Sequence, residues 1–160
     1  MVTLDFLENV EIFQELNDNQ LTEIQKCCQM VEFSRGDKIF GTGEEPLFLW
    51  VVMEGQVTLQ WEMPGRSALP EPTISRLSES MIFGWSSLVP PYKYRLSAYC
   101  DTRSCKVIKI ARDALVDLFD QDAEIGYKVM NRLLSVVASR FLNLQEHVAK
   151  RRGSDIINQW

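Results

Sequence analysis

The strongest constraint on this 160-residue chain is a run of short apolar strands punctuated by glycine. Met30-Val31-Glu32-Phe33 is followed by Arg35-Gly36-Asp37, Lys38-Ile39-Phe40 by Gly41-Thr42-Gly43, and Leu47–Met53 by Glu54-Gly55. Gln56–Trp61 alternates polar and apolar residues, Met81-Ile82-Phe83 runs into Gly84, and Cys105–Ile110 alternates again. Glycine accepts the backbone angles that sharp reversals need, and a period of two marks a half-buried strand. Such a series predicts a small antiparallel barrel or sandwich over residues 30–110. Met63–Pro72 holds three of the six prolines and reads as a loop inside it.

Both ends of the chain change to a helical period. Residues 1–29 form an N-terminal helical segment in which 4–29 predict two short helices, with Phe6, Leu7, Val10, Ile12, Phe13 and Leu16 as an apolar cluster. Asn17 or Asp18 can cap the second helix, in which Leu21, Ile24 and Cys28 recur. Residues 111–150 predict a short helix, Ala111–Phe119, and then a long one capped by Asp120 or Asp122 and ending near Lys150. In the long helix Tyr127, Met130, Leu134, Val137, Phe141, Leu144 and Val148 fall at alternating spacings of three and four. That is a heptad seam, and Leu133 and Val136 lie off it. A helix with two apolar faces needs two partners, the barrel and, along the seam, a second copy of the chain. Residues 151–160 read as a tail.

Chemistry concentrates in residues 81–98. Phe83-Gly84 leads to Trp85-Ser86-Ser87-Leu88, a single helical turn that Val89-Pro90-Pro91 stops. Tyr92-Lys93-Tyr94-Arg95 then returns the chain to a strand at Leu96-Ser97-Ala98. Unpaired N–H groups at the start of such a turn, with a cation nearby, suit a phosphate or carboxylate. Together with Gly36, Gly43 and Gly55, this stretch resembles the phosphate-binding cassette of the cyclic-nucleotide-binding domains, over residues 10–145. The resemblance implies a mainly β fold with flanking helices, a double-stranded β-helix or jelly-roll-like β-roll. It also implies a cyclic nucleotide as ligand. In that family a Glu after the Gly holds the ribose, and an Arg ten or eleven residues after the Gly holds the phosphate. Here Trp85 stands at the Glu position, Tyr94 is ten residues after Gly84, and Arg95 is eleven. Ser78-Glu79-Ser80 also lacks the Gly that usually precedes the Phe-Gly pair. Trp85 is either a core aromatic occupying ligand space or the wall of a ligand pocket. Either Tyr94 or Arg95 takes the phosphate-facing position. If it is Tyr94, the N–H groups of Ser86 and Ser87 are the main anion donors.

The remaining features exclude more than they assign. A net charge of −5 gives no general attraction to nucleic acid. Ten residues after Lys150 are too few for a helix-turn-helix, so DNA is not an expected partner. No apolar run is long enough to span a bilayer and the N-terminus lacks a basic leader, which makes a cytoplasmic, membrane-free protein the expectation. Cys27, Cys28, Cys100 and Cys105 do not have zinc-ligand spacing and read as small core residues in a reducing compartment. Gly84-Trp85-Ser86-Ser87-Leu88 begins like a hydrolase nucleophile elbow, but Leu88 breaks it, and the single histidine, His147, sits far along the seam helix. The sequence therefore predicts a non-enzymatic, homodimeric regulatory domain without metal or resident cofactor. It senses a cyclic nucleotide or another small anionic ligand, or alternatively binds only a partner protein. The ligand-binding set is Phe83, Gly84, Trp85, Ser86, Ser87, Leu88, Tyr94, Arg95, Leu96 and Ser97.

Overall fold

The structure is a computed structural model that describes residues 1–62 and 73–157; the expected loop at 63–72 lies outside the described residues. Its centre is β3, Phe48–Glu54. Successive side chains of a strand point to opposite faces. Leu49 and Val51 therefore enter one apolar cluster, and Trp50 and Val52 enter another. Both faces are buried, which is why Leu47–Met53 is apolar throughout rather than alternating.

Among the described residues, eight antiparallel strands form two four-stranded sheets. One sheet has the order β1 (Cys28–Ser34), β8 (Ser104–Ala111), β3 and β6 (Ile82–Phe83). The other has β2 (Lys38–Phe40), β7 (Ser97–Cys100), β4 (Val57–Gln60) and β5 (Thr73–Leu77). Val51 pairs with Ile108, which also pairs with Met30. Ile108 and Ile110 share the outward face with Leu49 and Val51, while Val107 and Cys105 face the second sheet. This is the expected jelly-roll-like β-roll.

Helices cover the outer face of the first sheet. Helix α1 is a single turn, Leu4–Leu7, shorter than expected. The chain then descends in tight turns that bury Val10, Ile12 and Phe13 completely. Helix α2, Asp18–Lys26, starts at Asn17 with a full capping box: Asn17 Oδ1 accepts from Gln20 N–H at 2.9 Å and Gln20 Oε1 accepts from Asn17 N–H at 3.1 Å. Helix α3 is Arg112–Gln121, and Asp122 caps helix α4, accepting from the N–H groups of Glu124 and Ile125. Ile125, Val129, Leu133 and Val136 bury one face of α4 in the core that the N-terminal segment shares with the sheet.

Two expectations are corrected. Helix α4 runs from Ala123 to Ile157, so residues 151–157 are helix and not tail. Lys150-Arg151-Arg152 are good helix formers, and Gly153 costs only about 1 kcal/mol relative to alanine. Cys100 and Cys105, expected as separate core residues, are joined as a disulfide between β7 and β8. Their sequence gap of five hid this, because they meet only when the two strands reverse. Cys27 and Cys28 are free, and burial pushes the Cys28 thiol up to about 12. Among the described residues no helix is long and apolar enough to cross a membrane.

Because the N-terminal segment and the sheet share one core, truncation at the fully buried Phe13 weakens the whole domain. Phe13→Ala is expected to lower unfolding stability by about 3–5 kcal/mol. Urea denaturation followed by both circular dichroism and tryptophan fluorescence should show one transition at lower urea. Loss confined to the helical signal would contradict the shared core.

Candidate functional site

The cassette begins where β6 ends. Gly84 has φ +68°, in the left-handed region. A Cβ there would lie 2.8 Å from Trp50 Cδ1 and 3.3 Å from the Phe48 carbonyl oxygen, so both backbone angle and space require glycine. A 3₁₀ turn follows at Trp85–Ser87. Within it Ser87 N–H donates to Gly84 O at 3.1 Å and Leu88 N–H to Trp85 O at 3.0 Å. Ser87 N–H is thus consumed by the turn, against the expectation that it faces an anion. The Ser87 hydroxyl is fully buried and has no hydrogen-bond partner, so no histidine activates it. His147 is exposed on α4.

Trp85 does not enter the roll. It is half-buried and packs, with Leu88 and Val89, against the helical cluster on the outer side. It is a core aromatic, but of the opposite core from the one a roll ligand would share. Phe83, by contrast, points inward and is fully buried.

The inward position after the loop belongs to Tyr94, which is 4% exposed, while Arg95 is exposed to solvent. Adjacent residues in extended chain face opposite ways, so the choice of one inward side chain turns the other out. Tyr94 stacks on Phe40 with centroids 3.8 Å apart. Its hydroxyl donates to Phe48 O at 2.8 Å and accepts from Trp50 Nε1–H at 3.3 Å. Phe40 and Trp50 each lie beside Phe83, at 5.9 and 6.1 Å between centroids. Four aromatic side chains thus occupy the inner face next to the cassette. Leu96 is partly buried against the same cluster. Fully buried Ser97 is committed locally, accepting from Thr42 N–H at 2.9 Å and lying 3.1 Å from the Thr42 hydroxyl. Gly43 N–H donates to Tyr94 O at 2.8 Å, tying the return strand to the Gly41–Glu44 turn.

These positions depart from the two polar contacts that the family's cassette uses. A cyclic nucleotide needs an acceptor for its ribose hydroxyl and a cation for its phosphate. Trp85 supplies no carboxylate and faces outward, Arg95 is turned to solvent, and Tyr94 fills the inner position. Phe40, Trp50, Thr42 and the Phe48 carbonyl belong to the site but were not singled out from sequence. Phe40 and Trp50 could be read as strand residues; their convergence on Tyr94 depends on pairing between distant strands.

No family model matches the chain. It is 26% identical over 153 residues to a CRP-like cAMP-activated global transcriptional regulator of Mycobacterium tuberculosis, covering 95% of this chain and 64% of the regulator. It is 23% identical over 159 residues to human cGMP-dependent protein kinase 2, covering 98% of this chain but 19% of the kinase. The chain therefore spans less than two thirds of the length of the curated relatives it matches. Among solved structures, a cyclic-nucleotide-binding-type protein of Geobacter metallireducens superposes with a TM-score of 0.75 at 27% identity, over 88% of this chain and 99% of that one. A cyclic nucleotide-binding domain from Methylobacillus flagellatus gives a TM-score of 0.79 at 20% identity, over 92% and 82% of the two chains. The chain has the cyclic-nucleotide-binding domain fold and resembles that family along nearly its whole length.

Burial pushes the Tyr94 hydroxyl above its ordinary 10.0. The folded state holds this proton more tightly than the unfolded chain does. Its contribution to stability is complete below pH 10 and falls as pH rises through the folded value. Tyr94→Phe removes that alkaline component and leaves Trp50 Nε1–H without its partner. Its expected cost at neutral pH is about 1–3 kcal/mol. Urea midpoints at neutral and alkaline pH for both proteins provide the check, and a mutant as stable as wild type at neutral pH contradicts the assignment.

Proposed function

We propose that this chain is a non-enzymatic regulatory module of the cyclic-nucleotide-binding type that does not respond to cyclic AMP or cyclic GMP. The observation that carries the reading is Tyr94, stacked in the roll and hydrogen-bonded on both sides of its hydroxyl. A side chain so held gives the inner face its own permanent occupant. The names of similar proteins describe cyclic-AMP activation and a cyclic-GMP-dependent kinase. Those properties do not transfer to a cassette without the two polar contacts.

Losing a charge-assisted hydrogen bond costs roughly 1.5–3 kcal/mol. Two such losses weaken affinity by about 10²–10⁴. Calorimetry with cyclic AMP is expected to give millimolar or weaker binding for the wild type. Trp85→Glu alone restores nothing, because Tyr94 still fills the roll. A wild-type Kd below about 10 μM, at least about 2.7 kcal/mol tighter than millimolar, refutes it.

Output in this reading passes through α4. The buried apolar face of α4 ends at Val136 and Val137, yet the helix continues to Ile157, about 30 Å further at 1.5 Å per residue. On the side away from the sheet, Tyr127, Leu134 and Phe141 are 72%, 68% and 58% exposed. Met130, Leu144 and Val148 extend that stripe, and Val137 borders the core. A long apolar stripe at heptad spacing supports pairing with a second copy. Light scattering after size exclusion is expected to give twice the 18.5 kDa chain mass. Phe141→Asp, which buries an unpaired charge in such a seam at a cost of several kcal/mol, should return the chain mass itself. A monomeric wild type at micromolar concentration rules the seam out.

A further inference from the structure

Under α4, on the side opposite the seam, a groove of about 290 Å³ opens between the helix, Glu11 and Met81. It spans the point where the buried apolar face of α4 ends. Arg132 and Arg140 enter it from two turns apart on the helix, with Ser135, Ser139 and Asn143 between and beyond them. Arg132 is anchored: its Nε–H donates to Glu11 O at 3.0 Å and its Nη2 to Gln14 Oε1 at 2.6 Å. Arg140 donates from Nη2 to Glu11 Oε1 at 2.7 Å, but its buried Nη1 has no partner. Glu11 Oε1 also accepts from Ile82 N–H at 2.9 Å, so that oxygen is already shared.

A buried guanidinium nitrogen without an acceptor is costly, and native interiors rarely leave one. The groove holds two guanidinium groups and one carboxylate. Ser135 Oγ already donates to Asn131 O at 3.3 Å, while the Ser139 hydroxyl and the Asn143 amide line the groove as groups able to donate or accept. This local positive excess occurs in a chain of net charge −5. Guanidinium groups recognise carboxylate and phosphate through paired hydrogen bonds. Met81 and Val136 give the groove an apolar wall. Its volume is at the lower end for small-molecule sites.

We infer that this groove binds the carboxylate or phosphate group of a small metabolite, which draws Arg140 from Glu11 so that its closed-off Nη1 meets the anion, with Arg132, Ser139 and Asn143 around it. The inference goes beyond the reading of the roll, since it needs no ligand there. Glu11 joins the groove to β6, the strand that leads into Gly84, so the bound anion competes with Glu11 for Arg140 beside the cassette.

The test is a nuclear magnetic resonance titration of the full chain with inorganic phosphate and, separately, succinate, both at constant ionic strength. The arginine Nε–H signals report the groove and the Trp50 indole N–H reports the roll. Saturable shifts at Arg132 and Arg140, with Trp50 unmoved, are expected for at least one probe. Saturation by phosphate alone identifies a phosphoryl ligand, and by succinate alone a carboxylate. Asn143→Asp is nearly isosteric and places a repelling charge in the groove, so it should weaken binding by about tenfold or more, at least about 1.4 kcal/mol. Ser139→Asp should act alike and stands in if the first variant fails to fold. The inference is overturned if neither probe shifts the arginines saturably, or if a folded aspartate variant binds as tightly as wild type. Shifts at Trp50 without the arginines overturn it too, and only that result also counts against the self-filled roll.

Discussion

The two-sided burial of β3 is the constraint on which the other arrangements rest. A strand with apolar residues on both faces must be covered on both, and this chain uses different material for each side. Leu49 and Val51 recruit the N-terminal turns and α4, whereas Trp50 and Val52 recruit the second sheet. The cassette lies at the boundary between the two cores. Gly84 approaches Trp50 and the Phe48 carbonyl so closely that the following turn is directed outward, carrying Trp85 and Leu88 to the helical side. Tyr94 brings the chain back to the inner side and closes onto the same two residues, Phe48 and Trp50.

How a fold can keep its frame while changing the group at its centre follows from this geometry. Arginine at an inward position needs a counter-charge or water, because an isolated buried guanidinium is strongly disfavoured. Tyrosine needs only one acceptor for its hydroxyl and apolar neighbours for its ring. The Phe48 carbonyl supplies the first, and Phe40 supplies the second by stacking. Tyr94 is therefore stable without any ligand, and an arginine in its place would depend on one.

Much of the architecture is legible in the chain. The glycines at 36, 43, 55 and 84 all adopt positive φ in the structure, and each marks a reversal between strands or into the cassette turn. Asn17 and Asp122 cap the helices expected to follow them, and Leu133 and Val136 turn to the sheet while Leu134 and Phe141 turn away. The site is less legible because it is built from nonlocal contacts. Alternation shows that Tyr94 and Arg95 must face opposite ways, but not which faces inward; Phe40, more than fifty residues earlier, settles that by stacking on the tyrosine. The direction of Trp85 depends on φ at Gly84, and the meeting of Cys100 with Cys105 on strand pairing. Nothing local marks Arg132 and Arg140, whose common neighbour, Glu11, lies more than one hundred residues earlier.

Helix α4 carries three different surfaces along one cylinder. Ile125, Val129, Leu133 and Val136 are buried in the core that α4 shares with the N-terminal segment and the sheet, which fixes the helix about its axis. The apolar stripe from Tyr127 to Val148 is consequently presented in a set direction, nearly opposite the sheet. Ser139, Arg140 and Asn143 continue the buried side of α4 past its last core residues, so polar and charged side chains occupy what begins as a core face. There the helix is held by a half-buried ion pair, and Glu11 and Arg140 retain 24% and 21% side-chain exposure. Pairs of this kind offset much of their attraction with desolvation. Burial accordingly pulls the Arg140 guanidinium down from its ordinary value, with Glu11 opposing the shift. The apolar contacts up to Val136 therefore hold the helix against the roll, while Glu11 sets the geometry beyond them. Its one oxygen, shared between Ile82 and Arg140, ties the strand that leads into the cassette to the half of α4 that carries the distal seam.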